Sequence, residues 1–167
     1  MADPLDLLRE PTRPIEPRVE FAGDLRRRLA GWIRETDQPP AVPRIVPVLY
    51  VDDARAAIRF YVQTFGAEPS SEPVTLPDGR VHHAELRVGS AEFVVADEFP
   101  ELGLLGPRSG GGASGALILH VVDADLTWRR AIAAGAERLR PVTDRFGLRA
   151  GWLVDPFGHR WEIATQT

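Results

Sequence analysis

Residues 46–69 read VPVLYVDDARAAIRFYVQTFGAEP, and this stretch decides the fold. Apart from Pro47, Val46 to Val51 are all β-branched, aliphatic or aromatic, the composition of a strand. Asp52 and Asp53 end that run and supply a side-chain oxygen for the first free amides of a helix. Ala54, Ala57, Ile58, Tyr61 and Phe65 then fall on one helical face, and Gly66 stands where a helix C-cap glycine belongs. Residues 116–137, ALILHVVDADLTWRRAIAAGAE, repeat the plan: an apolar run, an aspartate cap and a helix that closes at Gly135. Both helices lead into Gly-Ala-Glu, at 66–68 and at 135–137.

Each copy continues with short strand-like segments. In the first they are PVTL (73–76), VHHAELRV (81–88) and AEFVVAD (91–97), the last two joined by Gly89-Ser90 as in a tight hairpin. The second copy has ERLRPV (137–142), GLRAGWLV (147–154) and HRWEIAT (159–165). Asp155-Pro156-Phe157-Gly158 joins the last two and fits a type I turn. A repeat of this length predicts an α+β fold of two tandem βαβββ modules, residues 44–102 and 116–166. Between them, residues 103–115 (GLLGPRSGGGASG) read as a flexible glycine-rich linker or a mobile flap. Residues 1–40 form a separate arm: four prolines in the first 17 positions precede an amphipathic helix striped by Phe21, Leu25, Leu29, Trp32 and Ile33.

Composition removes whole classes of chemistry. Twenty basic against 24 acidic residues give a net charge of −4, which argues against a nucleic-acid binder. No apolar run approaches the roughly 18–20 residues that span a bilayer. The N-terminus lacks the pattern of a signal peptide, so a cytoplasmic location is expected. No cysteine is present, which excludes disulfides, thiolate nucleophiles and cysteine-ligated metals. All twenty basic residues are arginine, so lysine Schiff bases and a Walker-type loop go too. The Arg/Ala/Gly/Pro-heavy usage fits GC-rich bacterial codons.

The duplicated βαβββ unit, the Gly-Ala-Glu after each helix and the Asp-Pro-Phe-Gly of the final hairpin resemble the vicinal oxygen chelate superfamily. That superfamily includes glyoxalase I, bleomycin-resistance proteins and extradiol dioxygenases, and the likeness is greatest to its PhnB-like branch. It covers about residues 44–166 and leaves out the arm. The resemblance implies two modules whose curved sheets enclose a cavity, helices outside, and a homodimer. Metal-dependent members hold one ion with four side chains, from the first and last strand of each module. Those positions fall here at about Val46, at Val94 or Val95, at about Ala116 or Ile118, and at Glu162. Only Glu162 can ligate, so no metal or other cofactor is expected, a divalent ion being the disfavoured alternative.

Strand alternation sorts the remaining candidates. Trp161 and Ile163 should meet the helices, which turns Arg160 and Glu162 towards the cavity. On 81–88 the apolar face is Ala84, Leu86 and Val88, leaving His83, Glu85 and Arg87 opposite. His120 is the one polar side chain of ALILHVV, read as a central strand covered on both sides. Tyr50 and Trp152 are the aromatic candidates for the cavity wall. The expected ligand-binding set is therefore Tyr50, His83, Glu85, His120, Trp152, Arg160 and Glu162, with Glu162 and His120 as catalytic candidates. His159 reads as a surface residue and Asp155 as a turn residue. Three readings stay open. One is a metal-free small-molecule binder of the sequestering type. The second is a divalent-metal glyoxalase-, epimerase- or dioxygenase-like enzyme with Glu162 as ligand and base. The third is an interaction module using the helix of the arm.

Overall fold

The computed structural model describes residues 44–145 and 147–166, so the arm and its helix lie outside the described residues. Strand β1 (Val48–Val51) leads into helix α1 (Ala54–Phe65), followed by β2 (Glu68–Pro69), β3 (Val74–Thr75), β4 (Val81–Val88) and β5 (Ala91–Asp97). After a single 3-10 turn, Pro100–Leu102, the second module runs β6 (Ala116–His120), α2 (Ala124–Ala133), β7 (Glu137–Arg145), β8 (Leu148–Val154) and β9 (Arg160–Gln166). The two-module α+β fold expected from the sequence is the one observed. The first module adds the two-residue β2 between its helix and the strands expected after it.

Both helices start as the aspartates dictate. The Asp53 side chain accepts from Ala56 N, and that of Asp123 from Leu126 N, each supplying an acceptor for an amide with no partner in its helix. Gly66 ends α1 in the left-handed region at φ 66°, open to glycine without strain.

The two sheets have matching orders, β1-β5-β4-β2 and β6-β9-β8-β7, with β3 also on β4. In each, the first strand of the module pairs in parallel with the last: Val48 opposite Val94, and Ile118 opposite Glu162. This corrects the reading of β6. It is an edge strand, and Ile118, on the face it shares with His120, is 58% exposed. The apolar run therefore marks an open face and not a doubly covered strand.

One core joins the modules. Tyr61 of α1 packs against Phe93 of β5 and Trp161 of β9, while Phe65 meets Trp161 at 4.9 Å between ring centroids. At its centre the buried Asp155 carboxylate accepts from Tyr61 Oη (2.6 Å), Trp161 Nε1 (2.8 Å), and the amides of Phe157 and His159 (both 2.9 Å). Four donors from both modules compensate the cost of burying the charge. Burial, and next the Asp155 charge, push the Tyr61 hydroxyl well above the usual tyrosine range. Among the described residues no helix is long and apolar enough to cross a membrane.

Candidate functional site

Helix packing takes one face of each sheet, and the sequence leaves a mixed polar and apolar surface on the other. On the second sheet the register sets residues in rows across the strands. Arg140, Trp152, Glu162 and Ile118 form one row, with Arg160 beside Ala116 in the row before it and His120 beside Ala164 in the row after. Glu162 and His120 thus share a face, as the alternation requires, on adjacent strands. No ion pair or hydrogen bond links the Glu162 carboxylate to another described residue. On the first sheet the same face carries Val48, Tyr50, Val94, His83 and Glu85. His83 Nε2 approaches Glu85 Oε1 at 3.5 Å, a loose exposed contact.

A cleft of about 550 Å³ lies between Pro47 and the first residues of β1, the start of β6 and the glycine segment. Of the seven expected ligand residues only Tyr50 lines it. His159 lines it too, and its Nε2 donates to the Tyr50 carbonyl oxygen at 3.1 Å. This corrects its reading as a simple surface residue: the Asp155 turn aims the ring at β1. Nothing local in the sequence signals a contact between positions 109 residues apart.

The glycine segment is tied down at its start. Glu98 accepts from Gly106 N (2.8 Å) and Ser109 Oγ (2.9 Å), and Arg108 Nη1 donates to Pro156 O (3.0 Å) and Asp52 (3.3 Å). A Cβ on Gly106 would run into the Tyr50 carbonyl and come within 2.9 Å of Glu98 Oε1, so glycine is required there for close approach. The segment borders the cleft as a strap over β1.

The register also tests the metal set of the resembled superfamily. The positions counted for it are about Val46, Val94 or Val95, Ala116 or Ile118, and Glu162, and the pairing sets Val48 opposite Val94 and Ile118 opposite Glu162. Aliphatic side chains carry no lone pair, so three of the four positions cannot ligate. Among the described residues no group of three His, Asp or Glu stands close enough to hold a metal ion. The residues present do not fit that ion.

Comparison with known proteins agrees with this architecture. Residues 42–163 match the model of the Glyoxalase/Bleomycin resistance protein/Dioxygenase superfamily. An uncharacterized protein of Mycobacterium bovis is 38% identical over 125 residues, covering 72% of this chain and 82% of that protein. The cadmium-induced protein CadI of Mycobacterium tuberculosis is 30% identical over 128 residues, 73% of this chain and 75% of its own. Among solved structures, TioX from Micromonospora sp. ML1 superposes with a TM-score of 0.56 at 28% identity, over 75% of this chain and 97% of that one. With the duplicated modules, the parallel first-to-last strand pairing and these matches together, the chain belongs to the glyoxalase/bleomycin resistance protein/dioxygenase superfamily.

Proposed function

We propose that this protein is a metal-independent small-molecule binder of the PhnB-like type, acting by sequestration on its helix-free faces as a homodimer. The observation that carries the reading is the aliphatic character of the expected ligand positions, Val46, Val94 or Val95, and Ala116 or Ile118, which leaves Glu162 alone able to ligate. Val48 and Ile118 present apolar surface on the helix-free faces. Val48 is 47% exposed and Ile118 58%, with Trp152 and Tyr50 nearby in the register. Apolar wall with a few polar groups is the usual make-up of a small-ligand site. Glu162, His120 and Arg160 supply those groups around Trp152 and Ile118. The same exposed aliphatics favour a second copy over each face, since contiguous apolar surface favours association.

The test is elemental analysis of protein purified without chelator, combined with compound screening by quenching of tryptophan emission. Substoichiometric zinc, nickel, manganese and iron are expected, and one equivalent of any of them would overturn the reading. Glu162→Gln and Trp152→Phe should weaken the best screened compound by about tenfold each. Because Glu162 has no ion-pair partner among the described residues, the melting temperature of Glu162→Gln should stay near wild type. A large loss of stability with intact binding would mean that Glu162 is a structural residue.

A further inference from the structure

A second pocket of about 300 Å³ opens behind Tyr50 in the first module, and no residue of the second module lines it. Its frame is hydrogen-bonded on both sides. On one, Leu76 N donates to Arg80 O (2.8 Å) and Gly79 N to Leu76 O (2.9 Å), closing the β3–β4 turn. On the other, Phe99 and Leu104 exchange amide-to-carbonyl bonds of 2.8 and 3.1 Å around the 3-10 turn. These closures hold Leu76, Phe99, Leu102 and Leu104 as apolar walls. Leu102 is 68% exposed, a large apolar side chain held out at the mouth where solvent alone gives it no partner.

The polar groups of the pocket divide into two kinds. Arg80 is fully engaged. Its guanidinium lies 4.4 Å from the Phe99 ring centroid, and it meets Asp78 at 2.7 Å and Glu101 at 2.9 Å. Two carboxylates thus outnumber the one cation at the rim, and an anionic ligand would enter against net negative charge. Tyr50 and His82 are of the other kind. Among the described residues, neither the Tyr50 hydroxyl nor the His82 ring makes a hydrogen bond, although His82 is set edge-on to Phe99 at 5.8 Å. Each can donate and accept one bond.

From these features we infer that the pocket formed by Leu76, Phe99, Leu102, Leu104, Tyr50 and His82 is a binding site for a small neutral hydroxyarene. The aromatic body fills the apolar walls, and the hydroxyl exchanges hydrogen bonds with His82 and Tyr50. The volume admits one or two rings and sits at the small end of ligand sites. This site shares Tyr50 with the helix-free face of the first sheet and no residue with that of the second, where Glu162, His120, Arg160 and Trp152 lie.

The experiment is titration of the full chain with 2-naphthol by calorimetry, with 2-naphthoate as the anionic comparison. Wild type is expected to bind 2-naphthol and to bind 2-naphthoate about tenfold more weakly or not at all. His82→Ala and Leu102→Asp should each weaken 2-naphthol about tenfold, the loss of one buried hydrogen bond or of the apolar lip. Both positions are exposed, so their melting temperatures should match wild type and report that the fold is intact. Trp152→Ala, on the second sheet, should leave 2-naphthol binding unchanged. Absence of binding by wild type at millimolar concentration would overturn the inference. So would equal affinity for 2-naphthoate, or a loss that follows Trp152→Ala and not Leu102→Asp. None of these outcomes bears on metal content or on Glu162, so this inference and the proposed function fail separately.

Discussion

Replacing Tyr61 with Phe removes one atom from the centre of the molecule. The ring keeps its contacts with Phe93, Phe65 and Trp161, and the apolar burial is unchanged. What goes is the 2.6 Å bond from Oη to the buried Asp155 carboxylate, which retains Trp161 Nε1 and two backbone amides. A hydrogen bond to a charged group contributes about 1.5–3 kcal/mol, and the three surviving donors put the expected loss near 2 kcal/mol. For a folding unit of about 120 residues that is a fall of roughly 5–8 °C in melting temperature. The pH dependence sharpens the test. Burial and Asp155 hold the Tyr61 proton on in the folded state, while the unfolded chain releases it near pH 10. Above that pH the unfolded state binds fewer protons than the native one, so wild-type stability declines as pH rises towards the folded value. The Phe variant lacks this decline, and the gap between the two proteins should narrow in alkali. Melting curves by circular dichroism at pH 7 and from about 9.5 to 11 measure both effects. A fall of under about 1 °C, or a gap that stays constant in alkali, would refute the assignment of Tyr61 as a donor to a buried ionised carboxylate.

Two further perturbations probe other joints. Gly106→Ala places a Cβ against the Tyr50 carbonyl and Glu98, and should cost about 1–3 kcal/mol in a urea titration; a wild-type midpoint would mean that the strap relaxes freely. Hydrogen bonds from Arg149, and secondarily its charge, hold the Asp125 carboxyl below the usual range, so the stability they add is present above about pH 4 and lost as pH falls. Arg149→Met should therefore lower the melting temperature slightly at pH 7, as fits a largely solvated pair, and leave it near wild type in acid, so that the two profiles converge; parallel profiles would disprove the coupling.

The fold was legible because its signals are local. Asp53 and Asp123 cap within three residues, Gly66 ends its helix, and the Asp-Pro-Phe-Gly turn closes its hairpin over adjacent positions. Alternation likewise assigned faces correctly for Trp161, Glu162, Leu86 and Glu85. It could not tell an edge strand from a central one, since β6 is apolar on both faces and only its pairing decides. The pockets were hidden for the same reason. His159 reaches Tyr50 across the whole second module, and Glu98 fixes the glycine segment from eight residues away through a side chain that composition cannot locate. Glycine content predicts what a backbone is free to do, whereas its partners determine what it does.

The strand orders carry a consequence for how the molecule stays apart from its neighbours. Free sheet edges invite pairing with other chains unless charge or cover prevents it. At the far edge of the second sheet, β7 bears Glu137, Arg138, Arg140, Asp144 and Arg145, a guard of both signs. The opposite edges, β1 and β6, carry no Asp, Glu or Arg, and both line the cleft beneath the glycine segment. Protection from aggregation is thus electrostatic on one side and steric on the other. The steric half depends on a strap fastened to β5 and β1 by Glu98 and by the close approach of Gly106.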